Sequence, residues 1–183
     1  MELQSKDRYI LDTLNNILGG CHLITHKNAK DIVVKGNHGH RGDSDVIRIF
    51  SRNIVMGLKS NGIEPNKTTT NIFPHVKDDL FYDFLRGYID GDGCFYSNKN
   101  KYIYMHITSA TTSAFEYIQN RLLKDGIMTN IYKETDKKYR LMCTDSNSMK
   151  ILVNKLYHKD YSLCLIRKYN IIKHYLTGFT SQK

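Results

Sequence analysis

Phe84-Leu85-Arg86-Gly87-Tyr88-Ile89-Asp90-Gly91-Asp92-Gly93 closes an apolar segment with two aspartates and three glycines. Apolar side chains recur through this segment at spacings of three and four residues, which predicts a helix that begins at about Asp78. Asp78 and Asp79 suit the positive amino-terminal end of that helix, and Gly91 and Gly93 are typical of its end. The apolar positions of the pattern are Leu80, Phe81, Phe84, Leu85, Tyr88 and Ile89.

The two carboxylates, Asp90 and Asp92, lie at the negative end of the helix dipole, where each charge costs roughly 0.3–1 kcal/mol unless a cation is near. Because residues two apart leave a helix in nearly opposite directions, we do not expect both side chains to bind one ion. One aspartate, helped by another chain or a phosphate, would suit Mg²⁺, which prefers oxygen ligands and keeps several waters. The simpler explanation needs no ion, because Asp90-Gly91-Asp92-Gly93 also suits a polar turn that closes a core helix.

Residues 85–93 resemble the signature motif of the LAGLIDADG homing endonucleases, which aligns with them without a gap. Arg86, Tyr88 and Gly91 depart from the motif in ways that the family tolerates. Six of the nine letters match, namely those at Leu85, Gly87, Ile89, Asp90, Asp92 and Gly93.

The composition indicates a globular, basic protein. The chain has 183 residues, 40% of them hydrophobic, and can bury a core in one domain or two subdomains. Its net charge of +9 and isoelectric point near 9.3 indicate a polyanionic partner, either nucleic acid or an anionic membrane. No segment approaches the roughly 20 apolar residues that span a bilayer, and the first residues are not typical of a signal peptide. We therefore expect a nucleic-acid partner, no membrane, and an intracellular, cytoplasm-like or organellar place of action without secretion.

Beyond the motif, the sequence alternates in the manner of strands and then of helices. Strands at residues 94–98 and 102–108 predict a hairpin around a basic turn. A helix, a second hairpin around Asp136-Lys137-Lys138 and two further helices follow. Their predicted bounds are 112–124, 129–134, 139–144, 146–157 and 163–176.

Before the motif, a strand near residue 4 leads into a helix that stops at Gly19-Gly20. Further strands are predicted at 22–26, 31–35 and 46–50, with a helix at 53–60 and a linker at 64–74. Residues 36–43 are polar and rich in glycine and histidine, which predicts a hairpin tip, although two histidines two apart also suit a metal ion.

The predicted elements repeat, since strand, helix, strand, strand and helix occur in this order in both halves. Only the second half has the motif helix and a further strand ahead of this order. Each unit of the family has helix, two strands, helix, two strands and helix. The resemblance therefore implies an α+β fold of two pseudo-repeats whose antiparallel hairpins form a DNA-binding saddle. We expect a partial repeat without a motif helix at residues 1–75 and a complete repeat at residues 76–183.

The predicted hairpins carry tyrosines and cations on one face and lysines in their turns. A curved antiparallel sheet can lie in a DNA major groove, where side chains meet base edges and phosphates, and the family uses its sheet in this way. An ordinary solvated sheet face is the simpler alternative. The candidate DNA-binding residues are Arg48, Tyr96, Asn98, Lys99, Lys101, Tyr102, Tyr104, His106, Lys133, Lys137, Lys138 and Arg140.

The resemblance also implies an activity, the Mg²⁺-dependent or Mn²⁺-dependent hydrolysis of both DNA strands at a specific site, which makes an intron or intein mobile. Divalent ions suit this reaction because they neutralise the phosphate, activate water and stabilise the leaving oxygen. Asp92 matches the family's metal-binding acid, and the carbonyl of Gly91 is a second candidate ligand. Lys67 and Lys168 match basic residues that the family places near the scissile phosphate, although ordinary surface charge explains both lysines equally well.

A site of this family needs two motif helices side by side, and the sequence contains one. A homodimer mate or a separately encoded N-terminal piece would supply the second. We expect double-stranded DNA rather than RNA as the nucleic-acid partner. The alternatives are a non-cleaving nucleic-acid-binding protein of the same fold, either an intron maturase or a DNA-binding regulator, and an inactive truncated remnant. The predicted contact face of the helix consists of Phe84, Gly87, Tyr88 and Gly91.

Overall fold

A computed structural model describes residues 1–34, 36–63, 73–74, 76–98, 102–157 and 163–177 of the chain. Contacts within the chain define two compact units, Met1–Ser51 and Arg52–Lys183. The sequence places the division later, after residue 75, because it groups the helix at 53–60 with the first repeat. In the structure this helix belongs to the second unit, where Leu58 lines an apolar groove of about 520 Å³ together with Leu80 and Phe84.

The first unit contains a three-stranded antiparallel sheet in the order β1-β5-β2, with one helix packed on it. The helix buries Ile10 and Leu11, and the central strand buries Val46 and Ile47. The burial of its apolar residues therefore favours a central place for β5, which pairs with β1 on one side and β2 on the other. The bounds are β1 (Glu2–Gln4), α1 (Arg8–Ile17), β2 (Ile24–Lys27) and β5 (Ser44–Ile47).

A separate two-stranded ribbon, β3 (Lys30–Val34) with β4 (Asn37–Arg41), follows β2. The sequence predicts a hairpin tip over residues 36–43, and the structure has a shorter tip, because residues 37–41 continue the pairing as β4. Gly36 makes the turn of the ribbon with a φ of 81°. The polar residues of β4 do not alternate with apolar ones because an isolated ribbon has no face that must be buried.

The second unit has a four-stranded antiparallel sheet in the order β6-β7-β9-β8 with helices packed against it. Alternation along the second strand buries Ile103, Met105 and Ile107 in the core that the helices share. No helix in the described segments is long and apolar enough to cross a bilayer. The bounds are α2 (Arg52–Ser60), α3 (Phe81–Asp92), β6 (Gly93–Ser97), β7 (Ile103–Ser109), α4 (Ser113–Lys124), β8 (Asn130–Thr135), β9 (Lys138–Cys143), α5 (Ser146–Leu156) and α6 (Ile166–Thr177).

The two units share one pairing order, because β1-β5-β2 corresponds to β7-β9-β8. In each unit a helix, α1 or α4, joins the first of these strands to the next in sequence. The ribbon of β3 and β4 is an insertion between β2 and β5. The described residues of the first unit hold no counterpart of α3 and β6. The α+β architecture with pseudo-repeats predicted from the sequence is thus the observed one.

A buried arginine fastens α3 to the rest of the second unit. Nη1 of Arg86 donates to the carbonyl of Leu156, the last residue of α5, at 2.7 Å, and lies 3.0 Å from Oδ1 of Asp83. Arg86 is one of the departures from the motif. Its side chain serves the packing of α3 against α5.

Gly93, the last residue of the motif, lies where α3 meets β6. A Cβ at this position would be 2.8 Å from the carbonyl oxygen of Ile89 and 2.9 Å from its Cα. These backbone atoms are fixed by the last turn of the helix, so only glycine fits. A Cβ on Gly91 would meet no described atom within 4 Å.

Gly93→Ala is expected to lower the free energy of unfolding by about 1–3 kcal/mol, because the added methyl group overlaps the backbone of Ile89. Gly91→Ala is the matched control, and it is expected to raise that free energy by up to about 1 kcal/mol, since alanine is the better helix former. Urea unfolding followed by circular dichroism measures both values. Equal stabilities of the two variants would contradict the close approach at Gly93.

Candidate functional site

A single lysine from α6 closes the end of the motif helix. The ammonium of Lys168 donates to the carbonyls of Ile89 at 2.7 Å, Asp90 at 2.7 Å and Gly93 at 2.6 Å. These bonds use all three of its protons. Burial lowers the pKa of Lys168 below its usual value, while the charge of Asp90 opposes this effect. The geometry is that of a residue that positions the helix end, and the catalytic role of Lys168 stays a prediction.

Asp90 is partly buried and braces the helix end. Its Oδ2 accepts a hydrogen bond of 2.8 Å from the backbone N–H of Leu165, directly before α6. Its Oδ1 is buried without a hydrogen-bond partner among the described residues. Burial raises the pKa of Asp90, and the hydrogen bond from Leu165 and the charge of Lys168 act against this rise. Asp90 and Lys168 together tie α3 to α6.

Asp92 is exposed and leaves the helix on another side. No hydrogen bond or ion pair to its carboxylate occurs within the described segments. Burial raises the pKa of Tyr88, one turn earlier, and the negative charge of Asp92 adds to this rise. The two carboxylates of the motif therefore have different environments, which agrees with their two-residue spacing. Only Asp92 is available to a partner or an ion.

The donor chemistry at this end of α3 suits a hard divalent cation, since the carboxylate of Asp92 and the carbonyl of Gly91 both offer oxygen. Lys168 does not occupy the Gly91 carbonyl. The described residues contain no group of three or more His, Cys, Asp or Glu side chains that could hold a metal ion. The role of Asp92 and of the Gly91 carbonyl as metal ligands stays a prediction.

The outer face of the second sheet is defined by its register. Directly paired residues of an antiparallel sheet share a face. The face turned away from the core also carries Tyr132, which the sequence analysis missed. Tyr132 lies directly opposite Arg140 in the hairpin, so a correct register would have placed both residues on one face. The predicted residues on this face are Tyr96, Tyr104, His106, Lys138 and Arg140. The pairs that establish this face are Tyr96 with Tyr104, Cys94 with His106, His106 with Met142, Thr108 with Arg140, and Tyr132 with Arg140.

Three aromatic rings on this outer face form a stacked row. The ring centroids of Tyr96 and Tyr104 are 4.9 Å apart at an interplanar angle of 30°, and those of Tyr104 and His106 are 6.2 Å apart at 28°. Because the rings cover one another, their edges and polar atoms remain for a partner. Burial lowers the pKa of His106, and the charge of Arg140 lowers it further. The lowered pKa favours the neutral imidazole, whose buried Nδ1 has no hydrogen-bond partner among the described residues.

Two of the predicted basic contacts share one acidic partner, Glu134. Nζ of Lys138 lies 2.8 Å from Oε2 of Glu134, and Nη2 of Arg140 contacts Oε1. The hydrogen bond from Lys138, and then the charge of Arg140, lower the pKa of Glu134. The sequence analysis did not single out Glu134. Its position four residues before Lys138, across a two-residue turn, is the signal that identifies it.

Lys133 was predicted for the same face as Arg140, and the register places it elsewhere. It lies opposite Tyr139, so the alternation of side chains directs it to the other face of the sheet. A register shift between Lys133 and Thr135 separates it from the turn, and its ammonium lies 2.9 Å from Oδ1 of Asp136. Lys137 is exposed in the turn itself, as predicted.

The remaining candidate contacts lie at loops. Nδ2 of Asn98 donates to the hydroxyl of Tyr102 at 3.0 Å and so links the two arms of the first hairpin. Arg48 was predicted within a strand at 46–50, but β5 ends at Ile47 and Arg48 follows it, exposed, in the first unit. Three predicted residues lie outside the described segments, namely Lys67, Lys99 and Lys101.

Gly87 and Gly91 form an exposed strip on α3, which we call the glycine strip. A Cβ on either residue would meet no described atom within 4 Å. Phe84 and Tyr88 lie beside the strip, and the ring of Phe73 covers part of both, with centroid distances of 5.1 and 6.1 Å. A glycine within a helix costs about 1 kcal/mol relative to alanine. Packing among the described residues does not explain why both positions are glycine.

These elements define an α+β protein with a helix that delivers one acid to the edge of an antiparallel sheet. Residues 82–157, from α3 through α5, match the sequence profile of the family described as the LAGLIDADG-like domain. The second unit therefore contains a LAGLIDADG-like domain, which confirms the resemblance drawn from residues 85–93.

Several solved structures resemble the chain. The homing endonuclease I-CvuI, in complex with uncleaved DNA in the presence of Mg, has 20% identity and a TM-score of 0.40 over 55% of this chain and 66% of that chain. The match thus covers just under two thirds of I-CvuI. The LAGLIDADG meganuclease I-AabMI, bound to uncleaved DNA, has 14% identity and a TM-score of 0.48 over 97% and 78%. Full-length DUF199/WhiA from Thermatoga maritima has 15% identity and a TM-score of 0.49 over 90% and 48%. No curated protein sequence matches the chain.

Lys168→Met is expected to lower the free energy of unfolding by about 2–4 kcal/mol, because the buried and partly buried carbonyls of Ile89, Asp90 and Gly93 lose the ammonium as a donor. Lys124→Met, at the exposed end of α4, is the control and is expected to change it by less than about 1 kcal/mol. Urea unfolding measures both variants. A loss at Lys168 no larger than at Lys124 would show that the ammonium does not hold the helix end.

Proposed function

We propose that this protein is a site-specific double-strand DNA endonuclease of the homing type, in which a second motif helix from another chain completes the active site. One observation carries the proposal. The exposed carboxylate of Asp92 ends α3 directly before β6, the strand whose Tyr96 begins the aromatic and cationic face of the sheet. DNA on that face would lie beside a carboxylate that has no other described partner. Cleavage of this kind would serve the mobility of an intron or intein.

Charge and aromatic geometry favour double-stranded DNA as the substrate. The net charge of +9 supplies the electrostatic attraction to phosphates, and Arg140, Lys137 and Lys138 provide cations on or beside the face. Proteins that read unpaired RNA bases generally offer open ring faces for stacking. Here Tyr96 and Tyr104 stack on each other, so they present edges and hydroxyl groups. Such groups suit the base edges of a major groove.

We propose Mg²⁺ or Mn²⁺ as the cofactor, with Asp92 and the carbonyl of Gly91 among its oxygen ligands. When bound, a divalent ion supplies charge neutralisation at the phosphate and an activated water. The residues of this chain hold the backbone that carries Asp92, because Lys168 and Asp90 tie the last turn of α3 to α6. The missing ligands would come from the DNA, from water and from a second carboxylate.

The second carboxylate is the reason for proposing a partner chain. The glycine strip leaves the backbone of α3 open to close approach by another helix, and helix axes come within 8–10 Å only where side chains are small or interlocked. A homodimer mate would bring a second Asp92, whereas a separately encoded N-terminal piece would bring the acid of its own motif.

A second candidate function is a nucleic-acid-binding protein that does not cleave. The observation in its favour is that the described residues contain no cluster of potential metal ligands. The sheet face would then bind nucleic acid as in the first proposal. The protein would act as an intron maturase or a DNA-binding regulator. In the first candidate Asp92 is required for cleavage, whereas in the second candidate it has no catalytic role.

Asp92→Asn is expected to reduce cleavage at least about 100-fold, because the loss of the carboxylate removes a ligand and a charge from the reacting phosphate. The measurement is the Mg²⁺-dependent linearisation of a plasmid pool with randomised inserts. DNA binding in a gel-shift assay should stay unchanged. Asp79→Asn, at the opposite end of the motif helix, is the control with the same loss of charge.

Cleavage by Asp92→Asn at the wild-type rate would contradict the role of Asp92 as a metal ligand in the active site. Salt-sensitive binding by the wild type, without any linear product alone or with a motif-bearing partner, would favour the non-cleaving candidate.

Gly87→Leu is expected to weaken association at least about tenfold, because a leucine on the glycine strip separates the two helix backbones. Sedimentation velocity of the wild type distinguishes a homodimer from a monomer that needs a separate piece. Asn120→Leu, on the exposed side of α4, is the control for added apolar surface. Unchanged association and cleavage in Gly87→Leu would exclude the strip as the helix contact.

A further inference from the structure

We propose that Glu134 is a specificity-determining residue, which withholds Lys138 and Arg140 from DNA phosphates and orients Arg140 toward base edges. The inference rests on the proposed DNA-binding function and adds a residue that weakens binding to the wrong sequences.

The bulge in β8 places Glu134 where it can reach both cations. Lys133 pairs with Tyr139 and Thr135 pairs with Lys138, so Glu134 has no residue directly opposite it. An unpaired residue at a bulge is re-aimed relative to the regular alternation of the strand. The side chain of Glu134 accepts from Lys138 at 2.8 Å through one oxygen and contacts Arg140 through the other.

The cluster remains accessible to a partner. The side chains of Glu134, Arg140 and Lys138 have relative exposures of 25%, 31% and 51%. Arg140 lies opposite Tyr132 and Thr108 on the outer face. A DNA duplex that contacts the stacked tyrosines would therefore also meet this cluster.

The charge balance of the cluster decides what kind of DNA contact it favours. One carboxylate against two cations leaves a single net positive charge where two would otherwise face the phosphates. Binding without sequence preference depends on phosphate contacts, each of which contributes about 0.9 to the slope of log affinity against log salt concentration. Glu134 thus lowers sequence-independent affinity by occupying both cations.

Contacts to bases are affected differently. An arginine reads guanine through two N–H donors, and its discrimination depends on a fixed orientation. Glu134 engages only one terminal nitrogen of Arg140, and the buried Nε has no partner among the described residues. The guanidinium is held in place, and because Nε is buried, its terminal nitrogens are the donors that remain for a base edge. Specific binding is retained while sequence-independent binding is reduced, so the ratio between them rises.

Glu134→Gln tests this inference with Glu116→Gln as the matched control. Both variants remove one negative charge from the second unit, but Glu116 lies exposed on α4 and has no contact with the outer face. The measurement is the affinity for a random-sequence DNA duplex over a range of KCl concentrations. Glu134→Gln is expected to bind about 3–10-fold tighter near 0.15 M salt, with a slope steeper by about 1–2, and Glu116→Gln to change affinity less than about twofold.

The possible outcomes separate the inference from the proposed function. Equal gains in the two variants would mean that Glu134 acts only through net charge and would overturn the inference. Weaker binding by Glu134→Gln would overturn it too, since the carboxylate would then contact the DNA directly. Glu134→Ala gives the same expected direction if the glutamine variant does not fold. Absence of duplex binding by the wild type at low salt would instead defeat the proposed function.

Discussion

The arrangement of the site depends on one ammonium group at the end of one helix. Without Lys168, α3 would place two aspartates at its negative end with several carbonyls unsatisfied. The lysine supplies both a charge of the right sign and a donor for each of three carbonyls. Asp90 is then used to hold α6, and Asp92 is left as the carboxylate that faces outward. The place of Asp92 at the helix end is therefore held by a helix that lies far along the sequence.

The sequence was sufficient to predict the parts of the site that depend on local periodicity. The spacing of apolar residues predicts α3, and the two-residue separation of Asp90 and Asp92 predicts that they serve different purposes. The role of Lys168 could not be derived in this way. The lysine and the carbonyl of Asp90 are 78 residues apart, and no local pattern encodes which charged residue folds back onto a helix end. Motif resemblance located Lys168 near the site, and the structure adds that its ammonium binds the end of α3, while its catalytic role stays a prediction.

In the sheets, too, some features could be predicted from the sequence and others could not. Alternation correctly joined Tyr96, Tyr104 and His106 on one face, because a buried core on the other face enforces the register. It failed in β4, where neither face is buried, and at Lys133, where an extra residue interrupts the alternation. Glu134, the residue at that interruption, was missed for the same reason. Errors therefore concentrate where the hydrophobic core no longer constrains the backbone.

The bulge in β8 has a further consequence for how this surface can vary. The pairs from Asn130 through Lys133 follow one register, and Thr135 with Lys138 follows another. The register of the loop is therefore offset from that of the sheet by the one unpaired residue, Glu134. The loop and the sheet are in this sense separate modules.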